Sequence, residues 1–204
     1  MKRLLTNYTK KKKEIRLRLK YFKEIGKSSE DILFSELAFC ICTPQSKAKK
    51  CDEAILELKK SLLYTGNNNQ ISKILKSKVR FHNNKAKYII KARNKLYNKL
   101  KNIVKLNNRQ ARDFLVKEIK GISMKEASHF LRNIGKYENI TILDRHILKN
   151  LKRYGIIKEV PKALTRKIYL EIENKMLKFC KKINIPPEEI DLLFWSNETD
   201  EIFK

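Results

Sequence analysis

The chain has 204 residues, enough for one good core or for two small lobes sharing a cleft. Its 48 Lys+Arg against 22 Asp+Glu give a formal charge of +26, more than solubility needs and the mark of a polyanionic partner. Nucleic acid comes first, because each neutralised phosphate releases counterions. A bilayer-spanning segment is excluded, since no run of about 18 apolar residues exists.

A membrane surface is the weaker partner, as no segment pairs a strongly apolar face with freedom from core-like neighbours. Part of the lysine excess can reflect genomic or thermophilic bias.

The opening "MKRLLTNYTKKKKEIRLRLK" has no signal-peptide apolar stretch or cleavage site, so an intracellular protein is expected. Its lysine run at 10–13 reads as a solvated, phosphate-seeking patch. With five Gly, four Pro and no Val/Ile/Thr alternation, the whole chain is expected to be all-α. "SSEDILFSELAFCICTPQS" opens on a Ser28…Asp31 capping pattern and must stop before Pro44. In the next helix Ala48, Cys51, Ile55, Leu58 and Leu62 form one core-facing stripe. "YTGNNNQ" reads as a loop. "HNNKAKYIIKARNKLYNKL" reads as a helix capped by Asn84, with Ala86, Ile89, Ile90, Arg93 and Leu96 following. In "NNRQARDFLVKEIKG", Ala111, Phe114, Leu115 and Ile119 point inward and Gly121 terminates.

"KGISMKEASHFLRNIG" follows as a tight turn into a helix. Ser123 and Glu126 form a capping box, Ala127, Phe130, Leu131 and Ile134 the buried stripe, and Gly135 closes it. Lys125 then falls in the first turn, where it is unfavourable by roughly 0.3–1 kcal/mol. His129 reads as a local structural residue. "TILDRHILKNLKRYG" restarts with Asp144 as cap, "PKALTRKIYLEIENKMLKFCKKIN" is a long helix, and "PPEEIDLLFWSNETDEIFK" a short one with a tail. Cys40, Cys42, Cys51 and Cys180 match no zinc or iron–sulfur spacing, so no metal or cofactor is expected and the thiols should be reduced and buried.

The two helices joined by "GIS" form a helix–hairpin–helix whose turn should offer consecutive backbone N–H groups to a DNA phosphate without reading bases. "GISMKEASHFLRNIG" with "ILDRHIL" resembles the helix–hairpin–helix DNA glycosylase superfamily. More narrowly, "VRFHNNKAKYIIKAR", "AFCICTPQSKA", "YLEIEN" and "WSNETDEIFK" resemble the archaeal-type 8-oxoguanine DNA glycosylase/AP lyases. One departure is Ser123, where the family often has Gly.

The resemblance implies two helical lobes with the hairpin at the cleft between them. Residues 27–137, with the hairpin at about 108–135, would form one lobe; 1–26 and 138–204 would form the other. It implies base excision from double-stranded DNA containing 8-oxoguanine, by a single chain without cofactor. Lys125 would attack the sugar C1′ and form a Schiff base. Its electropositive, partly dry setting would favour the free amine. Asp144 would steady the cationic sugar and help move protons.

Phe81 and Trp195 would sandwich the extruded base. Lys204 would help recognise it, a carboxylate there serving as acceptor for N7–H. Gln45 and Asp191 are further polar candidates. Gly121 and Ser123 in the turn, with Arg145 and His146, would meet the phosphate backbone. Two rivals stay open: a non-enzymatic helix–hairpin–helix binding module, and a glycosylase for another oxidised base.

Overall fold

Eleven helices and no strands make up the computed structural model, which describes residues 1–204. In chain order they are α1 Lys2–Gly26, α2 Glu30–Cys42, α3 Ala48–Lys59, α4 Asn68–Lys76, α5 His82–Leu96 and α6 Leu100–Lys105. Then come α7 Asn108–Glu118, α8 Met124–Asn133, α9 Arg145–Arg153, α10 Arg166–Ile183 and α11 Pro187–Thr199. The architecture is all-α.

The buried side chains fall into two cores. The first gathers 32 residues between Ile25 and Ile140, mostly from α2, α3, α5, α7 and α8. The second gathers 22, from α1, from α9–α11 and the segments flanking them (Leu143, Ile157, Ile185), and from Met124, Tyr137 and Ile202. α8 belongs to both: Met124 points into the second core, while Ala127, Phe130 and Leu131 fill the first. The cleft therefore has a shared helix as its floor. α2 is buried on nearly every face from Leu33 to Cys42, consistent with its almost unbroken apolar sequence.

Several local expectations are corrected. Ser28 lies in the turn after α1, its hydroxyl donating to Glu24 O at 3.1 Å, and Ser29 stands at the N-cap of α2. Leu62 lies beyond α3. The second half of "YTGNNNQ" begins α4, because Asn67 and Gln70 cap each other reciprocally at 3.0 and 2.9 Å. α5 starts two residues before Asn84, with Phe81 at its N-cap in a left-handed conformation (φ 57). The long helix begins only at Arg166, capped by Thr165. In the lysine run, Lys11 is tied to Ser196, donating to its carbonyl and hydroxyl oxygens at 3.2 Å each.

α7 departs most from its apolar pattern. Phe114 is exposed, and Arg112, 1 % exposed, takes an inward place. Its guanidinium grips Glu173 of α10 through two bonds of 2.6 and 2.9 Å. Glu173 also accepts from Thr141 N–H at 2.8 Å, and Tyr169 OH donates to Thr141 O at 2.7 Å. One buried network thus fixes α7, α10 and the extended run leading to Asp144.

Candidate active site

The hairpin is built by backbone geometry. α7 ends at Glu118, and Gly121 turns the chain with φ +89. A Cβ there would lie 2.3 Å from the Tyr88 ring, so conformation and space both demand glycine. Glu126 Oε2 accepts from Ser123 N–H at 3.2 Å and from the Ser123 hydroxyl. Ile122 N–H reaches back to Ile119 O at 3.4 Å. Of the turn's three N–H groups only that of Gly121 is thus left for an external acceptor, fewer than the sequence suggested. At the other end, Gly135 (φ +75) closes α8 against α1, its would-be Cβ 2.7 Å from Lys23 Cα.

Lys125 is the one residue of α8 that is not buried. Its side chain is 21 % exposed, with the ammonium 3.4 Å from Glu126 Oε1. Asp144 caps α9, its Oδ1 accepting from Ile147 N–H at 2.8 Å. It opens onto a cleft of about 290 Å³ together with His129, Arg132, Ile142, Asp191, Leu192, Trp195, Phe203 and Lys204.

The cleft floor is charged and dry. Arg132 and Asp191 face each other at 3.5 Å, each 8 % exposed, and the guanidinium lies 4.9 Å from the Phe22 ring centre. Burial pushes the Asp191 carboxyl up to about 7 against the pull of Arg132; the Asp144 charge adds to the rise and that of Lys125 opposes it. Asp191 therefore lies within the field of both. Burial, aided by Arg132 and Lys125, holds His129 well below the usual histidine range, so its ring is neutral. Neither ring nitrogen makes a close hydrogen bond, although the Lys204 backbone faces the ring; Arg132 Nε has no partner, and Arg132 Nη1 has only the 3.5 Å approach of Asp191. Unpaired polar atoms in a dry cleft are costly unless a ligand satisfies them.

Asp144, Asp191, Trp195 and Lys204 come together in this cleft, as the sequence suggested. Phe81 and Gln45 do not line it. Both are exposed, with left-handed backbones (φ 57 and 55), and they stand on neighbouring turns. Lys85 holds those turns together, buried and donating to Cys42 O, Pro44 O and Ser46 Oγ at 2.7, 2.8 and 2.9 Å. Trp195 meets Phe203 instead, ring centres 6.3 Å apart and tilted by 30°. Arg145 is exposed at the start of α9 and His146 half-buried beside it. Sequence reasoning missed Arg132 and Phe203 and undervalued His129. The available signal was spacing: His129 and Arg132 lie one and two helical turns from Lys125 on the same helix.

Gly121 thus makes the hairpin's turn, Lys125 stands in the first turn of the helix that follows it, and Asp144 caps α9 at the cleft. A sequence profile of the family described as 8-oxoguanine DNA glycosylase matches residues 15–185. A relative in Fusobacterium nucleatum, named 8-oxoguanine DNA glycosylase/AP lyase, is 47 % identical over 201 residues, covering 92 % of this chain and 89 % of its own. The crystal structure of the 8-oxoguanine DNA glycosylase of Thermotoga maritima superposes with a TM-score of 0.92 at 35 % identity, covering 100 % of this chain and 97 % of that one. The 8-oxoguanine glycosylase/lyase of Methanocaldococcus jannaschii, solved in complex with DNA containing 8-oxoguanine, gives 0.91 at 35 % identity, with both chains covered in full. The chain belongs to the 8-oxoguanine DNA glycosylase family.

Proposed function

We propose that this protein is a bifunctional DNA glycosylase/AP lyase that removes 8-oxoguanine from double-stranded DNA, with Lys125 as nucleophile and Asp144 as its anionic partner. Membership of the family carries the activity. The residue roles rest on one observation: Lys125 is the one residue of α8 left unburied, in the first turn of the hairpin's second helix, and Asp144 caps α9 at the cleft. The free amine of Lys125 bonds to C1′ as the glycosidic C–N bond breaks and its electron pair leaves with the base. Asp144 balances the positive charge on the sugar during that step. The sugar ring opens to an imine. Loss of a C2′ proton then expels the 3′ phosphate, and water releases the lysine.

Trp195, Lys204 and Asp191 are the groups of the cleft that would meet the extruded base. Phe81, exposed on the 81–85 shelf, would contact DNA outside the cleft as the protein stands here. Gly121 and Ser123, with Arg145 and His146, would meet the backbone. The proposed working unit is a single chain acting on DNA inside the cell. Lobes of 27–137 and of 1–26 with 138–204 fit the two cores except at Ile25 and Ile140, which join the first core, and Met124 and Tyr137, which join the second.

Incubation with an 8-oxoguanine duplex and borohydride is expected to trap a covalent protein–DNA adduct. Lys125→Gln should abolish both adduct and strand cleavage while DNA affinity stays within about threefold, since one charge in +26 is a small part of the field. No adduct with the unaltered protein would exclude the lyase chemistry. A large loss of affinity in the variant would make Lys125 a phosphate contact.

A further inference from the structure

Residues 200–204 run from one core to the other. Asp200 turns the chain after α11 with φ 60, Ile202 sinks into the second core, and Phe203 packs against the first. Lys204 then reaches α2 and α3. Its ammonium lies 2.9 Å from Glu36 Oε1 and 2.7 Å from Asp52 Oδ1, and 4.6 Å from the centre of the Phe39 ring. The Lys204 side chain is only 15 % exposed. Glu36 is itself buried, and its second oxygen accepts from Asn133 of α8 at 3.1 Å. A weaker outer pair joins Lys49 to Glu201 at 2.8 Å.

An ammonium that gives up most of its water stays charged only where anions replace that water. Burial pulls Lys204 down, yet Glu36 and Asp52 outweigh it and hold the group above the ordinary lysine value. This differs from an exposed ion pair, whose contribution is small. What it holds is also specific. Phe203 and Lys204 line the cleft beside Asp144 and Trp195, whereas Glu36 and Asp52 do not line it at all.

We propose that Glu36 and Asp52 are positioning residues for base excision: they seat Lys204 on the first lobe and so hold residues 200–204 as the wall against which an extruded base is read. The inference rests on the glycosylase reading above. A wall that reads a base matters only while there is a base to read. Cleavage at a sugar that has already lost its base needs the lysine and the aspartate but not that wall.

The two reactions therefore separate the role. Single-turnover release of 8-oxoguanine from duplex and strand cleavage at a preformed abasic site are measured on the same preparations of Glu36→Gln and Asp52→Asn. Asp52 is the more exposed of the two and the safer for folding. Base release is expected to fall tenfold or more in Glu36→Gln and at least threefold in Asp52→Asn, with abasic-site cleavage within twofold of normal. Adding Glu36→Gln to Lys204→Met should cost no further base release, because the seat has no purpose once its occupant is gone.

Unchanged base release in both variants would overturn the inference. So would equal loss of both activities, which would make the pair part of the general scaffold, or additive losses in the double variant. If the unaltered protein performs neither reaction, the glycosylase reading falls and this inference with it.

Discussion

Asp191 shows how one side chain carries a measurable signature of the cleft. Its carboxyl is raised from 3.8 to about 7, chiefly by burial. In that interval the folded chain holds a proton that the unfolded chain has released, so this group's contribution to stability falls as pH rises from about 4 to about 7. Above that window the full cost of the buried anion is present. Asp191→Asn should flatten this part of the stability curve, checked by urea unfolding at half-unit pH steps; an unchanged slope would place the proton elsewhere. Lys125, Asp144 and Gly121 could be singled out in the sequence because hairpin, cap and spacing are local signals, whereas Asp191 was only a further polar candidate beside the family resemblance. Arg132 was not, since nothing local distinguishes a guanidinium that turns inward from one that faces water.

Helices reveal the same limit one level up. α9 and α11 were readable because Asp144 and the paired prolines mark their starts, and α8 because Ser123, Glu126 and two glycines bracket it. α4 was hidden because asparagine and glycine favour turns, and a reciprocal Asn67–Gln70 cap looks like loop composition until the helix behind it is seen. Phe114 and Arg112 misled together: helical period gives a face, but the facing element decides its chemistry, and α10 offered Glu173. Arg112→Ala should destabilise the fold by about 3–5 kcal/mol, because it leaves a buried carboxylate without its counterion. Denaturant unfolding measures this, and a loss under about 1 kcal/mol would mean that the Glu173 site admits water. A simultaneous change of both partners to apolar residues should cost much less.

Across the whole molecule, charge and burial divide the labour. The excess of lysine and arginine suits the phosphate backbone, while selectivity depends on a few buried groups where the two cores meet. Composition made the first half of that statement plain; the second needed the fold, since Glu36, Asp52 and residue 204 are distant in sequence. The four cysteines add a last point. All are free and buried, Cys40, Cys42 and Cys51 in the first core and Cys180 in the second, and burial lifts every one of them, Cys51 to about 11 and Cys180 to about 12. Thiolate is the form that peroxide attacks, so the native chain presents almost none. Ellman's reagent should find no reactive sulfur until denaturant is added, and then four. A repair enzyme for oxidised guanine is thereby shielded from the same oxidants that create its substrate.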